Sequence, residues 1–157
     1  MLFDYSREPH SDIAFVDMKS FYASCECIAL GLDPLKTSLC VMSRIENSAG
    51  LILAATPLFK KNFGSQNVSR SYNLPFDVHT RKFNYAAARK QGLPITADYV
   101  RFIEDVAQKT LLVPPRMNYY IQKNMEIQKI FQDFAAPDDI FPYSIDEGFL
   151  DLTSSIN

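Results

Sequence analysis

Ile140-Phe141-Pro142-Tyr143-Ser144-Ile145-Asp146-Glu147-Gly148-Phe149-Leu150-Asp151-Leu152 is the stretch on which the fold of this chain turns. Two runs of strong strand formers, 140–145 and 149–152, flank Asp146-Glu147-Gly148, so the spacing predicts a hairpin with two carboxylates at its turn. Near the other terminus Ile13-Ala14-Phe15-Val16 is an apolar run that ends on Asp17, a predicted buried strand with an acid at its end. A buried, unpaired carboxylate is costly to ionise and needs a cation or hydrogen bonds. Three carboxylates converging from two strands could hold two Mg²⁺ ions, because Mg²⁺ takes oxygen ligands and is often held by one or two carboxylates plus substrate phosphates. Two such ions ~3.5–4 Å apart align an attacking and a leaving oxygen for displacement at phosphorus. The plainer alternative is that Asp17 caps the following helix and Asp146-Glu147 forms a turn. Spacing alone leaves both open.

The rest of the chain alternates helix and strand signals. Residues 20–30 run without Gly or Pro up to Gly31 and Asp33-Pro34, which predicts a helix and its stop. Apolar runs at 39–42 and 51–54, with Asn47-Ser48-Ala49-Gly50 between them, predict a second hairpin. Pro57 and Gly64 bracket a short helix over 58–63. Residues 65–95 lack clean periodicity and read as loop plus short helix. Residues 96–109 place Tyr99, Val100, Ile103, Val106 and Ala107 on one helical face. Residues 111–113 form a short strand cut off by Pro114-Pro115, and 117–134 form a long helix ended by Pro137-Asp138-Asp139. No element is visible after Leu152. This mixture predicts an α+β sheet backed by helices on one face.

Composition narrows the class. The 157 residues are 47% apolar, enough for one domain with a real core, and this excludes a disordered tail, a collagen and a coiled coil. No apolar run approaches the ~20 residues of a membrane span, and the start MLFDYSREPH lacks a signal-peptide pattern. Cys25, Cys27 and Cys40 are an odd set, read as reduced packing residues, and Cys25-x-Cys27 lacks the partners of a zinc site. These features predict a cytoplasmic protein. The net charge of −2 argues against a simple nucleic-acid binder, yet its distribution is uneven. Lys60, Lys61, Arg70, Arg81, Lys82, Arg89 and Lys90 are opposed only by Asp77, whereas 133–151 holds six acids and no base. A basic segment can hold phosphates and acidic segments that fold together can hold divalent cations; solvated faces are the plain alternative.

Two stretches carry a resemblance. Phe15-Val16-Asp17-Met18-Lys19-Ser20-Phe21-Tyr22-Ala23-Ser24-Cys25-Glu26 resembles the first catalytic motif of the Y-family, or translesion, DNA polymerases, and Tyr143 to Asp151 resembles the second. The wording of the first is most similar to the UmuC-type bacterial branch. Asn67-Val68-Ser69-Arg70-Ser71 looks like plasmid- and phage-associated UV-resistance members. The resemblance implies a polymerase palm-like sheet backed by helices with a small fingers insertion. Residues 1–157 would be the N-terminal part of a UmuC-type catalytic domain, palm at about 1–55 and 111–157 and fingers at about 56–110. It implies two Mg²⁺ ions, or Mn²⁺, held by the catalytic Asp17, Asp146 and Glu147 and by the Met18 backbone carbonyl. Tyr22 falls on the steric gate under the incoming sugar, with Phe21 beside it in the nucleotide site; core packing is the alternative for Tyr22. Lys60 or Lys61 falls where a basic residue meets the triphosphate, and Arg70, Arg81 and Lys82 are read as DNA-binding.

The implied function is two-metal nucleotidyl transfer from a dNTP to a primer 3′-hydroxyl on damaged template, in DNA repair and the SOS response. The implied partners are primer–template DNA and dNTP, with a sliding clamp or accessory proteins reached through other regions. Family members continue into a thumb and a little finger, so the chain reads as a fragment or a truncated gene product. The competing readings are a catalytically inactive remnant that binds DNA or protein, and a nucleotidyl cyclase or metal nuclease with a related acidic hairpin.

Overall fold

The computed structural model describes residues 4–47, 49–64 and 69–156. Ser48 of the predicted turn and Asn67 and Val68 of the motif above lie outside them. In chain order the elements are β1 (Ile13–Asp17), α1 (Phe21–Ala29), β2 (Leu39–Met42), β3 (Ile52–Ala55), α2 (Pro57–Phe63), α3 (Tyr85–Gln91), α4 (Ala97–Gln108), β4 (Leu111–Val113), α5 (Met117–Phe131), β5 (Ile140–Pro142), β6 (Glu147–Asp151) and α6 (Thr153–Ile156), with short 3₁₀ turns between. The strands form two three-stranded sheets, ordered β1-β6-β5 and β3-β2-β4, where the sequence predicts one. The chain divides into two compact units, one reaching to Lys19 and resuming at Asn118, the other running from Ser20 to Met117. This cut differs from the palm and fingers boundaries above, which follow the resemblance and not compactness.

In the first unit β6 lies between β1 and β5, antiparallel to both. Alternation assigns the two faces. Ala14 and Val16 of β1, Leu150 of β6 and Ile140 of β5 pack with Ile127, Phe131 and Ala135 of the α5 side. The opposite face carries Ile13, Phe15, Phe141 and Phe149, all exposed, with the Phe15 and Phe149 rings 4.8 Å apart. Gly148 sits where α5 crosses β6. A Cβ there would lie 3.5 Å from Phe131 Cε2 and 3.7 Å from Gln128 Nε2. The predicted hairpin is corrected in its register. β5 stops at Pro142, which has no N–H for the ladder, so the turn occupies 143–146 and Glu147 and Gly148 enter the strand. After β6 comes an element that the sequence does not signal. Asp151 Oδ1 accepts from Thr153 N and opens the one-turn α6, and the Thr153 hydroxyl accepts from Asp12 N. Hydrogen bonds from the Thr153 hydroxyl and the Thr153 N–H hold the Asp151 carboxyl below the usual carboxylate range.

The second unit is built around β2, an apolar run buried along its whole length. It pairs antiparallel with β3 and parallel with β4, and its sides divide by alternation. Leu39 and Val41 meet Ala23 and Cys27 of α1, and Cys40 and Met42 join the cluster of Phe59, Phe63, Phe76, Ile103 and Ala107. Burial on both faces is what a continuous run such as Leu-Cys-Val-Met permits. All three cysteines are free and buried, as the sequence predicts, and burial pushes the Cys40 thiol up to about 12. Thr56 fixes the start of α2: its hydroxyl accepts from Phe59 N and Leu39 N and donates to the Thr37 carbonyl. Glu26, 5% exposed, is held by Arg116 in a fork, Nε to Oε1 at 3.0 Å and Nη2 to Oε2 at 2.8 Å. That pair joins α1 to the segment before α5, 90 residues away in sequence.

Two stability predictions follow from these contacts. Arg116→Met leaves the Glu26 carboxylate buried without its main counter-charge, which costs about 3 kcal/mol; Glu26→Gln, which keeps an acceptor for Arg116, costs less. Urea denaturation of both variants measures the difference, and a loss under ~0.5 kcal/mol for Arg116→Met would contradict it. Gln128 buries both its side-chain oxygen and nitrogen without a hydrogen-bond partner among the described residues. A buried unpaired amide carries a penalty of ~1–3 kcal/mol, so Gln128→Leu is expected to raise the thermal midpoint. A lowered midpoint would show that the amide is bonded in solution.

Candidate active site

The first unit brings the three predicted carboxylates to one end of its sheet. Asp17 at the end of β1 lies directly opposite Glu147 at the start of β6. Met18 N donates to the Asp146 carbonyl at 2.8 Å, so this next pair is the hydrogen-bonded one and Asp17–Glu147 is the non-hydrogen-bonded one. In such a pair the Cα atoms are ~4.5 Å apart and both side chains leave the same face. Asp17 is exposed, Asp146 and Glu147 half-buried. Asp17 is strand and not cap: the residue before α1 is Ser20, in the left-handed region at φ 51° and without a side-chain capping bond. The plain alternative for Asp17 therefore does not hold.

The turn 143–146 is pinned by its neighbours. The Ser144 hydroxyl lies 3.0 Å from Asp146 Oδ1 and 2.9 Å from Glu147 Oε2, and the Asn124 side-chain amide of α5 donates to the Ile145 carbonyl. Neither Ser144 nor Asn124 is in the set of site residues read from sequence. Ser144 sits within the second motif, and Asn124 gives no signal beyond being a weak helix former in mid-helix. The donors are carboxylates and a backbone carbonyl, the hard oxygen set that Mg²⁺ and Mn²⁺ take, so the residues fit a divalent ion. Among the described residues no three His, Cys, Asp or Glu side chains yet converge on one point. Binding an ion therefore requires side-chain rotation about a backbone register that is already set.

The other predicted residues belong to the second unit. Tyr22 of α1 is half-buried against the cluster of Ala23, Cys27, Leu39 and Val41. Phe21 is buried, 6% exposed, with its ring 6.0 Å from that of Tyr22. Lys60 and Lys61 are exposed on α2, opposite the buried Phe59 and Phe63. Three residues of the basic island have partners within the fold, and Arg89 and Lys90 are exposed at the end of α3. Arg70 Nη1 donates to the Ala49 carbonyl. Arg81 Nη1 donates to the carbonyls of Ala107 and Thr110 and so closes the C-terminal end of α4. Lys82 lies 3.6 Å from Glu104. Among the described residues no helix is long and apolar enough to cross a membrane.

Comparison with known proteins agrees with the two motifs. Residues 16–157 match the model of the impB/mucB/samB family. The chain is 33% identical over 150 residues to the putative UV-damage repair protein UvrX of Bacillus subtilis, covering 96% of this chain and 29% of UvrX. It is 32% identical over 143 residues to the DNA repair protein homolog YozK of the same organism, covering 91% of this chain and 98% of YozK. The chain thus spans under a third of UvrX and nearly the whole of YozK. Its fold resembles the Dbh DNA polymerase in an insertion ternary complex, with a TM-score of 0.56 and 23% identity over 92% of this chain and 33% of that one. With both motifs in place and the family match running from Val16 to the last residue, this chain belongs to the impB/mucB/samB family, the UmuC-like group of Y-family DNA polymerases, and has the fold of their N-terminal palm and fingers region.

Proposed function

We propose that this chain is the N-terminal catalytic portion of a translesion DNA polymerase that acts in DNA repair and SOS damage tolerance. Its reaction is attack of a primer 3′-hydroxyl on the α-phosphate of a dNTP opposite damaged template, with pyrophosphate leaving. The observation that carries this reading is the Asp17–Glu147 pair. Like charges directly opposed across two strands are destabilising, by ~0.2–1 kcal/mol, and neither side chain adds to the core. A divalent cation between them converts that repulsion into attraction, and local rules of stability are commonly broken at functional sites.

Asp17, Asp146, Glu147 and the Met18 carbonyl are the ligands in this reading. Bound Mg²⁺, or Mn²⁺, supplies neutralisation of the triphosphate and of the charge that develops at the reacting oxygens. The protein groups position and neutralise. Tyr22, backed by the buried Phe21, lies under the sugar and excludes a 2′-hydroxyl. Lys60 and Lys61, which make no ion pair among the described residues, offset triphosphate charge. Arg70 and Lys82 approach the DNA backbone by exchanging their present partners. Arg81 contributes to that surface chiefly by fixing the end of α4. Residues 1–55 and 111–157 are assigned to the palm and 56–110 to the fingers. The partners are primer–template DNA and dNTP, with a sliding clamp or accessory proteins met through other parts of a full-length polymerase, in the cytoplasm.

Nucleotide binding by the 157-residue chain tests this directly. With Mn²⁺ present, dATP is expected to bind more tightly than ATP, and Asp146→Ala to weaken dATP binding ~10-fold or more, about 1.4 kcal/mol. Tyr22→Ala is expected to bring ATP close to dATP. Mn²⁺-dependent dATP binding that survives Asp146→Ala would overturn the site, and an unchanged dATP preference in Tyr22→Ala would leave Tyr22 a packing residue.

A further inference from the structure

The turn that carries Asp146 is held from two sides by groups outside the ligand set. From α5, the Asn124 amide donates to the Ile145 carbonyl, the group directly before Asp146 in the chain. Asn is among the weaker helix formers, and Asn124 stands in the middle of a 15-residue helix. What it gains there is this bond, which satisfies a carbonyl that has no ladder partner at the turn. From within the turn, the Ser144 hydroxyl is within hydrogen-bond distance of Asp146 Oδ1 and Glu147 Oε2 together. A hydroxyl has one proton, so it donates to one carboxylate at a time. Both oxygens nonetheless stay gathered around it, and its donation offsets part of their mutual repulsion.

We infer that Asn124 and Ser144 are positioning residues for the divalent-ion site: Asn124 sets the place of the Asp146 turn against α5, and Ser144 gathers the Asp146 and Glu147 carboxylates before an ion arrives. This rests on the reading of Asp17, Asp146 and Glu147 as ligands. The physical effect is preorganisation. Without the hydroxyl the two carboxylates swing apart by rotation, and an ion must regather them at a cost in affinity. Without the Asn124 amide the Ile145 carbonyl is free to turn, and Asp146 turns with it. Groups that orient the ligands of a metal in this way typically change its affinity ~10–100-fold.

The test is Mn²⁺ titration of the full chain, followed by loss of the free-Mn²⁺ electron paramagnetic resonance signal, with thermal unfolding of each variant alongside. Ser144→Ala and Asn124→Leu are each expected to weaken Mn²⁺ binding ~10-fold while keeping a cooperative transition. Ser144→Thr, which restores the hydroxyl, is expected to bind as the wild type does. Should Asn124→Leu fail to fold, the comparison of Ser144→Ala with Ser144→Thr still decides, because Ser144 is exposed and outside the core. Binding lost in Asp17→Asn but unchanged in Ser144→Ala overturns the positioning role alone. Binding equally strong in Asp17→Asn and wild type removes the ligand reading, and this inference with it.

Discussion

The register between β1 and β6 is the constraint on which the first unit depends. It pairs Ile13 with Asp151 at one end and Asp17 with Glu147 at the other. Because side chains alternate along a strand, a slip of β1 by one residue against β6 would move Ala14 and Val16 off the α5 face and bring Phe15 and the Asp17 carboxylate onto it. The same alternation that builds the core therefore places the acids on the open face. Packing and chemistry are not independent here: burial of Leu150 against Phe131 is what turns Glu147 toward the side that Asp17 occupies.

The second unit solves a different problem. Its central strand is buried on both faces and needs helices on each, which α1 supplies on one side and α2 and α4 on the other. Its polar groups are used to tie elements end to end: Thr56 joins the start of α2 to β2, Arg81 closes α4, and the Glu26–Arg116 fork joins α1 to the strand-and-proline segment before α5. One of the basic residues that in sequence looks available for phosphate, Arg81, is used in this way. Lys60 and Lys61 stay on the outside because the amphipathic pattern of α2 buries Phe59 and Phe63.

Much of this is legible in the sequence where the signal is local. The apolar runs at 13–16, 39–42 and 51–54 become strands, and Pro57, Gly64 and Pro114 mark boundaries where their backbone chemistry requires them. The two motifs point to Asp17, Asp146 and Glu147 and to the family, and the fold is the expected one. Features that depend on distant partners are not legible. Glu26 reads as one more helix acid until Arg116 arrives from 90 residues away. Asn124 carries no mark of its contact with Ile145, and Arg81 reads as surface charge although its guanidinium is used at a helix end. The hairpin turn is misplaced by three residues in the sequence reading because strand propensity at Tyr143 and Ile145 outweighs, on paper, the missing N–H of Pro142. In the folded chain the ladder decides.

In the proposed function this register creates a divalent-ion site from Asp17, Asp146 and Glu147. Paramagnetic broadening of backbone amide resonances by substoichiometric Mn²⁺ measures it most directly, since the effect falls steeply with distance from the ion. The amides of Asp17, Met18, Asp146 and Glu147 are expected to broaden first, and Asp17→Asn to remove the effect without shifting the resonances of β2 and α4. Broadening centred elsewhere, or spread evenly over the acidic surface, would contradict it.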